Sequence, residues 1–255
     1  MWLFCAAATL LYAPLAITLA VINHQSLGGV QIAFMVGSTL MHLAYFLSLQ
    51  TGYRVGDLSL VYPLARGTGP LLSTLAAIVL FKEHPTPLAL AGAITIVAGV
   101  FLMTFGRRAP GNEVRTRLAV GYGLLTGVII AVYTLWDKHA VSVLAIPPIL
   151  YNWGNDVGRT ILLAPVALRN WEKVKMEWQK NRFEILGIAL LSPLSYILVL
   201  TALKFTPVSY VAPAREVSIL VGAILGVKFL AEGDVKRRLI AASGMVLGVV
   251  FLALG

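Results

Sequence analysis

Apolar runs about as long as a bilayer is thick recur along the whole chain, and no other feature restricts the fold as much. A hydrocarbon core of roughly 30 Å takes about 20 apolar residues to cross as a helix. Nine such runs are readable, at approximately 1–22, 30–51, 58–81, 87–106, 118–138, 145–168, 183–203, 208–230 and 237–255, with connectors of about seven residues. In lipid a backbone amide must be satisfied within its own segment, so each run is predicted to be a helix. The connectors leave no room for a soluble domain. Composition agrees: 58% of the residues are hydrophobic and 12% charged, against roughly 25% charged in soluble domains. The fold class is all-α integral membrane protein, with nine transmembrane helices.

The net charge of +9 would suit a nucleic-acid binder if it lay on one soluble surface, but it lies between the spans. Arg54, Arg107, Arg108, Arg115, Arg117, Arg169, Lys173, Lys175, Lys180, Arg182, Lys236, Arg237 and Arg238 all fall on one side by alternation. Only Lys82, Lys138 and Lys204 fall on the other. The positive-inside bias makes the richer face cytoplasmic and explains the basic patches without a nucleic-acid partner. The first run has no basic n-region and no small-residue cleavage site, so it reads as a span and not a signal peptide. Cys5 is the single cysteine, which excludes an intramolecular disulfide and a Cys-rich metal site.

The chain repeats itself. LSLVYPLARGTGPLL (58–72) returns as VSYVAPAREVSILVG (208–222), LFKE ending at Glu83 returns as FLAE ending at Glu232, and Gly99 returns as Gly248. The Glu-to-Gly spacing is sixteen in both copies. Upstream, Trp2 and Pro14 match Trp153 and Pro165, and AYFLSL from Ala44 parallels SYILVL from Ser195. The first copy occupies 1–106 with four helices, a basic linker follows at 107–117, and the second copy occupies 118–255 with five. An odd number of helices per copy inverts one copy relative to the other, as in many secondary transporters. The first copy lacks a counterpart of Arg117–His139, so the expectation is two inverted five-helix repeats with the first helix of repeat one missing.

GYRVGDLSLVYPLARGTGPLLSTLAAIVLFKE followed by LALAGAITIVAGVFLM resembles the EamA repeat of the drug/metabolite transporter superfamily, and the second copy is a looser example. The resemblance covers essentially the whole chain. It implies two inverted five-helix repeats around a central cavity, with solute movement by alternating access. The motifs specify the family and not the substrate, since members carry amino acids, drugs, nucleotide sugars and other metabolites. Family members are drawn with both termini cytoplasmic, whereas the basic-residue count places this C-terminus outside.

Ionisable groups are costly at membrane depth and normally face a cavity or a partner. Here they are His42, Arg66, Asp156, Arg159, Arg215 and Glu216. Asp156 and Arg159 can pair on one helical face, either as glue between helices or, with Asn152 and Asn155, as a polar stripe along a solute pathway. Arg66 and Arg215 follow the repeated Pro63 and Pro213, which are expected to interrupt their helices at the cavity. The two arginines either meet at a central site or snorkel to the near interface. Glu216 pairs with Arg159 or Arg66, or else carries a coupling proton, as Asp156 also can. Tyr45, Tyr62, Tyr196 and Tyr210 either line a pocket or pack, and His42 either faces the cavity or bonds between helices. The GxxxG pairs at 123/127, 154/158, 222/226 and 244/248 read as close-packing notches, the last equally suited to a dimer.

The inverted repeat, the buried charges and the absence of a nucleotide-binding motif point to a secondary transporter. There is no GxxxxGK[ST] run for direct ATP drive, no HExxH, no GxSxG and no metal-spaced cluster, so an integral membrane enzyme is disfavoured and no cofactor is expected. A degenerate or accessory membrane protein is the other alternative. The reading is a secondary transporter of a small polar metabolite, multi-pass in the plasma (inner) membrane, gradient-coupled, as a monomer or homodimer, whose partners are a solute and lipid. Three arginines against two acids favour an anionic or zwitterionic solute. An acid in the first helix of each copy, the mark of small multidrug exchangers, is lacking apart from Asp137, read as standing at a helix end.

Overall fold

The computed structural model describes residues 1–22, 28–56, 58–104, 113–218 and 235–255. They form helices α1 (Trp2–Ile22), α2 (Gly29–Val55), α3 (Leu58–Leu80), α4 (Pro87–Thr104), α5 (Glu113–Ser142), α6 (Pro148–Arg169), α7 (Trp171–Phe205), α8 (Val208–Ala214) and α9 (Val235–Leu254). No strand occurs among the described residues. The chain is a multi-pass membrane protein. α1, α2, α5, α7 and Leu60–Leu80 of α3 are long and apolar enough to cross a bilayer, and Pro87–Leu102 and Ile240–Leu254 are shorter apolar helices. Burial is inside-out relative to a soluble protein: Asn152, Asn155, Asp156, Asp137 and Glu216 are buried while Leu10, Ile17, Ile161 and Val166 are exposed. That pattern is stable only where the outer solvent is hydrocarbon.

Helix limits follow local chemistry. α6 begins on Pro147 and Pro148, whose fixed φ suits a first turn. α3 ends where Lys82 takes φ 52, returning the Glu83 N–H to Ala77 O at 3.4 Å. Ala145 at φ 53 repeats the turn for α5, with Ile146 N–H on Ala140 O at 3.1 Å. Both are wide closures of the kind found at helix C-termini. α3 runs unbroken through position 63, whereas α8 ends one residue past Pro213. Residues 171–180, expected to be a connector, are helical and merge with α7 across a kink at Asn181 (φ −127, ψ 33). The eighth expected span is described only as far as Ser218; the Gly222/Gly226 pair, Glu232 and the side chain of Pro63 lie outside the described residues.

Two compact units result, Met1–Leu43 with Trp136–Phe205, and Ala44–Leu135 with Thr206–Gly255. Each draws on both sequence copies. In the first, α1 packs on α6 and α7 through a reciprocal pair: Trp2 Nε1 donates to Thr160 O at 3.1 Å and Trp153 Nε1 to Thr9 O at 3.0 Å. Trp2 and Trp153 are repeat partners, and each reaches the carbonyl seven residues past its counterpart. Trp153 is thereby bonded between helices. Gly154 and Gly158 admit Met35 and Thr39 of α2, the Thr39 Oγ1 standing 2.7 Å from where a Gly158 Cβ would sit.

In the second unit α4 packs on α9 and α3, and α3 and α4 on α8, around Ala89, Ala93, Ile96, Val100, Met245 and Leu252. The contact is again reciprocal. A Cβ on Gly92 would meet Gly248 O at 2.5 Å, and one on Gly99 would meet Ala241 O at 3.1 Å. Residues 92 and 99 correspond to 241 and 248 in the repeat. Gly123 and Gly127 take Leu64 and Thr68, while Gly244 has open space, so three of the four notches fall among described residues and only two of those three are filled on both glycines or their partners as expected.

Candidate functional site

Polar side chains gather in each unit separately. In the first, helical spacing aligns Ser38 with His42 on α2, and Asn152 with Asp156 and Asn155 with Arg159 on α6. Arg159 Nη2 donates to Asp156 Oδ1 at 2.7 Å, and the two side chains are 17% and 2% exposed. Asn152 Nδ2 donates to the other oxygen, Oδ2, at 3.0 Å. Arg159 Nε also reaches Asn155 O at 3.3 Å, and the Asn155 amide donates to Ser38 Oγ at 3.1 Å. Ser38 in turn donates to Asp137 Oδ1 at 2.7 Å. The stripe is thus continuous from α6 to α5.

Asp137 is what the sequence reading missed. The apolar run ends beside it and predicts a helix end there, but α5 continues to Ser142 and Asp137 is fully buried. Besides Ser38, Tyr151 OH donates to Oδ1 at 2.7 Å and Tyr196 OH makes a short bond to Oδ2. His42 Nε2 lies 3.9 Å from Oδ2, and its ring meets Tyr196 edge to face at 5.2 Å. The available signal was Tyr196 itself, repeated in SYILVL, which needs a buried acceptor for its hydroxyl. Asp137 also changes the charge count: among the described residues the three arginines Arg66, Arg159 and Arg215 stand against the three acids Asp137, Asp156 and Glu216.

Those three belong to the second unit. Arg66 Nε stands 3.1 Å from Glu216 Oε2, with the side chains 20% and 2% exposed, so Glu216 sits against Arg66. Neither atom meets hydrogen-bond alignment; the contact is a charge pair. Arg66 Nη2 reaches Ser218 Oγ at 3.3 Å and its guanidinium lies 5.9 Å from the Tyr62 ring. Arg215 Nη2 donates to Tyr133 OH at 3.2 Å and Nη1 to Thr134 Oγ1 at 3.4 Å. Tyr133 meets Tyr45 edge to face at 5.9 Å. Tyr210 stands apart, its hydroxyl on Thr86 N at 3.4 Å.

The repeated glutamate supplies the scaffold for this cluster. Glu83 Oε1 accepts from Val208 N at 2.7 Å and Oε2 from Ser209 N at 2.9 Å, closing the otherwise open N–H groups that begin α8. Pro207, at the cap position, has no side chain able to do this. The turn at Lys82 aims the carboxylate, and α8 delivers Arg215 and Glu216 immediately after its last residue.

The EamA-like transporter family model matches residues 117–254. The chain belongs to the EamA-like transporter family. A solved crystal structure shares the fold at 14% identity with a TM-score of 0.77, covering 99% of this chain and 88% of that one. Members of the family are membrane transporters and not enzymes, so a family member that buries paired charges in apolar helices is read as a transporter of the drug/metabolite type. Among the described residues no group of three or more His, Cys, Asp and Glu is placed to hold a metal ion.

Proposed function

We propose that this chain is a secondary transporter that moves a small polar metabolite bearing an anionic group across the plasma membrane by alternating access, driven by an ion gradient and not by ATP. The observation that carries the reading is the convergence of two guanidinium groups, Arg66 and Arg215, with the Glu216 carboxylate in a member of a transporter family. A guanidinium costs several kcal/mol to bury in a membrane helix, and such groups are characteristically found on solute paths. Guanidinium forks match carboxylate and phosphate oxygens, and neutral hydroxyls such as Tyr133 and Thr134 exchange readily for a solute oxyanion. Asn152, Asn155, Asp156 and Arg159, with His42, Tyr45 and Tyr196, are proposed to line the remaining path.

The architecture proposed is two inverted repeats, 1–106 and 118–255, joined by the basic linker. The paired contacts of Trp2 with Thr160 and Trp153 with Thr9, and of Gly92 with Gly248 and Gly99 with Ala241, support it, because a two-fold relation makes residue i meet j wherever j's counterpart meets i's. The partners proposed are the solute and surrounding lipid, with a monomer or homodimer as the unit. The experiment is a metabolite screen of cells that overproduce or lack the protein, repeated with Arg66→Ala and Arg215→Ala. Loss of the metabolite difference in both variants at normal membrane levels supports the reading, and its retention in both refutes it.

A further inference from the structure

We propose that the contact between α3 and α8 is a hydrated seam, a water-binding route by which polar groups reach the Arg66–Glu216 pair from the face carrying Lys82 and Glu83. Among the described residues, four buried side-chain polar atoms make no hydrogen bond: Arg66 Nε, Thr74 Oγ1, Ser209 Oγ and Glu216 Oε2. Two stand on α3 and two on α8 or the turn just after it, the helices that carry the repeated stretches 58–72 and 208–222. Thr74, Ser209 and Glu216 are buried. A buried polar group left unpaired is costly, and such groups in native proteins are satisfied by bound water, which makes about three hydrogen bonds in a buried site.

Chain direction sets the four atoms along one line. Glu83, past the end of α3, caps the Val208 and Ser209 amides at 2.7 and 2.9 Å, whereas Arg66, nearer the start of α3, meets Glu216 past the end of α8 at 3.1 Å. The two helices are therefore antiparallel. At 1.5 Å of rise per residue, Thr74 stands about 12 Å along the axis from Arg66, and Ser209 about 10 Å from Glu216. The two hydroxyls thus share one level, between the charge pair and the half-buried Glu83. Spacings of seven and eight residues keep each pair on one side of its helix. Neither hydroxyl has the usual local partner. Thr95, Thr134 and Thr201 return theirs to the carbonyl four residues earlier, at 2.7, 2.6 and 2.7 Å. For Thr74 that carbonyl is Pro70 O, which already accepts from Ser73 Oγ at 3.0 Å. Ser209 is the second residue of α8, so the corresponding carbonyl lies outside the helix. Water suits all four atoms, because a hydroxyl donates and accepts, the guanidinium donates and the carboxylate accepts.

Passage of a solute's polar group along the seam rests on the transport reading above; its hydration does not, and is testable without a solute. The full chain is reconstituted in liposomes as Thr74→Cys and Ser209→Cys. Ala65→Cys and Val211→Cys are controls, equally buried but turned off the line by helical spacing. The native chain, whose single Cys5 is buried, sets the background. Each is exposed on both faces to Ag⁺, a small ion that caps thiolates, and the thiols left uncapped are counted with a maleimide after unfolding. Dry apolar packing suppresses the thiolate, so capping at 74 and 209 is expected to be at least about tenfold faster than at 65 and 211. Rates at 74 and 209 no faster than the controls overturn the proposal, as does capping at 209 alone, beside the mouth. If a cysteine variant does not insert, Thr74→Val decides: the melting temperature is expected not to rise, whereas a rise, the gain from removing a hydroxyl packed dry and unpaired, overturns the proposal. A chain that is capped at both positions but moves no solute supports the seam and refutes the transport reading instead.

Discussion

Glu83→Ala tests how the repeated glutamate positions the arginine cluster. The substitution removes two carboxylate acceptors, at 2.7 and 2.9 Å, from the Val208 and Ser209 amides. A lost helix cap costs about 0.5–2 kcal/mol, and a hydrogen bond to a charged group contributes about 1.5–3 kcal/mol. The bonds share one partly buried carboxylate and are not additive, so a combined loss of about 2–4 kcal/mol is expected. At about 2–4 °C per kcal/mol for a chain of this size, the helix melt in detergent, followed by circular dichroism, falls by roughly 5–15 °C. Glu83→Gln keeps one carbonyl oxygen and should lose about half as much. Because α8 leads directly into Arg215 and Glu216, transport should fall with the melt. An alanine variant that melts within about 1 °C of wild type, or a glutamine variant no better than alanine, refutes the capping role.

Two further outcomes follow from the packing and pairing. Arg159→Ala strands the buried Asp156 carboxylate and should destabilise by about 3–5 kcal/mol, whereas Asp156→Asn with Arg159→Gln recovers a substantial part of it; thermal melts of the single and double variants decide, and equal losses contradict the pairing. Gly92→Ala should cost about 1–3 kcal/mol, since its Cβ would stand 2.5 Å from backbone Gly248 O. Gly121→Ala, with nothing within 4 Å, should not destabilise, and the same melting assay separates the two.

The helices were legible because each must satisfy its own amides and present apolar atoms outward, a requirement written in the linear run of residues. The repeated letters were legible too, and the contacts of Trp2 with Thr160 and of Trp153 with Thr9 fall at matching offsets along them. What the chain order could not give was the third partner. Asp137 looked terminal because the apolar run fades there, yet α5 extends past it and three hydroxyls from α2, α6 and α7 close on it. Glu216 had two arginines to choose from, and only the packing of α3 with α8 brings it to Arg66. Glu83 was visible as a repeated letter, but its role as a cap depends on amides more than a hundred residues away. The helical stretch before Asn181 was read as a connector because its many charges mask a periodicity that the backbone follows regardless.

The most direct test of the account is solute accumulation by the purified chain in liposomes without ATP. A mixed pool of small polar metabolites is supplied outside, a proton gradient is imposed, and the trapped contents are measured by mass spectrometry against protein-free vesicles. The account predicts that at least one anionic or zwitterionic metabolite accumulates with the gradient and stops accumulating when it is collapsed. Folded, inserted protein that accumulates nothing, or accumulation that survives collapse of every ion gradient, contradicts it.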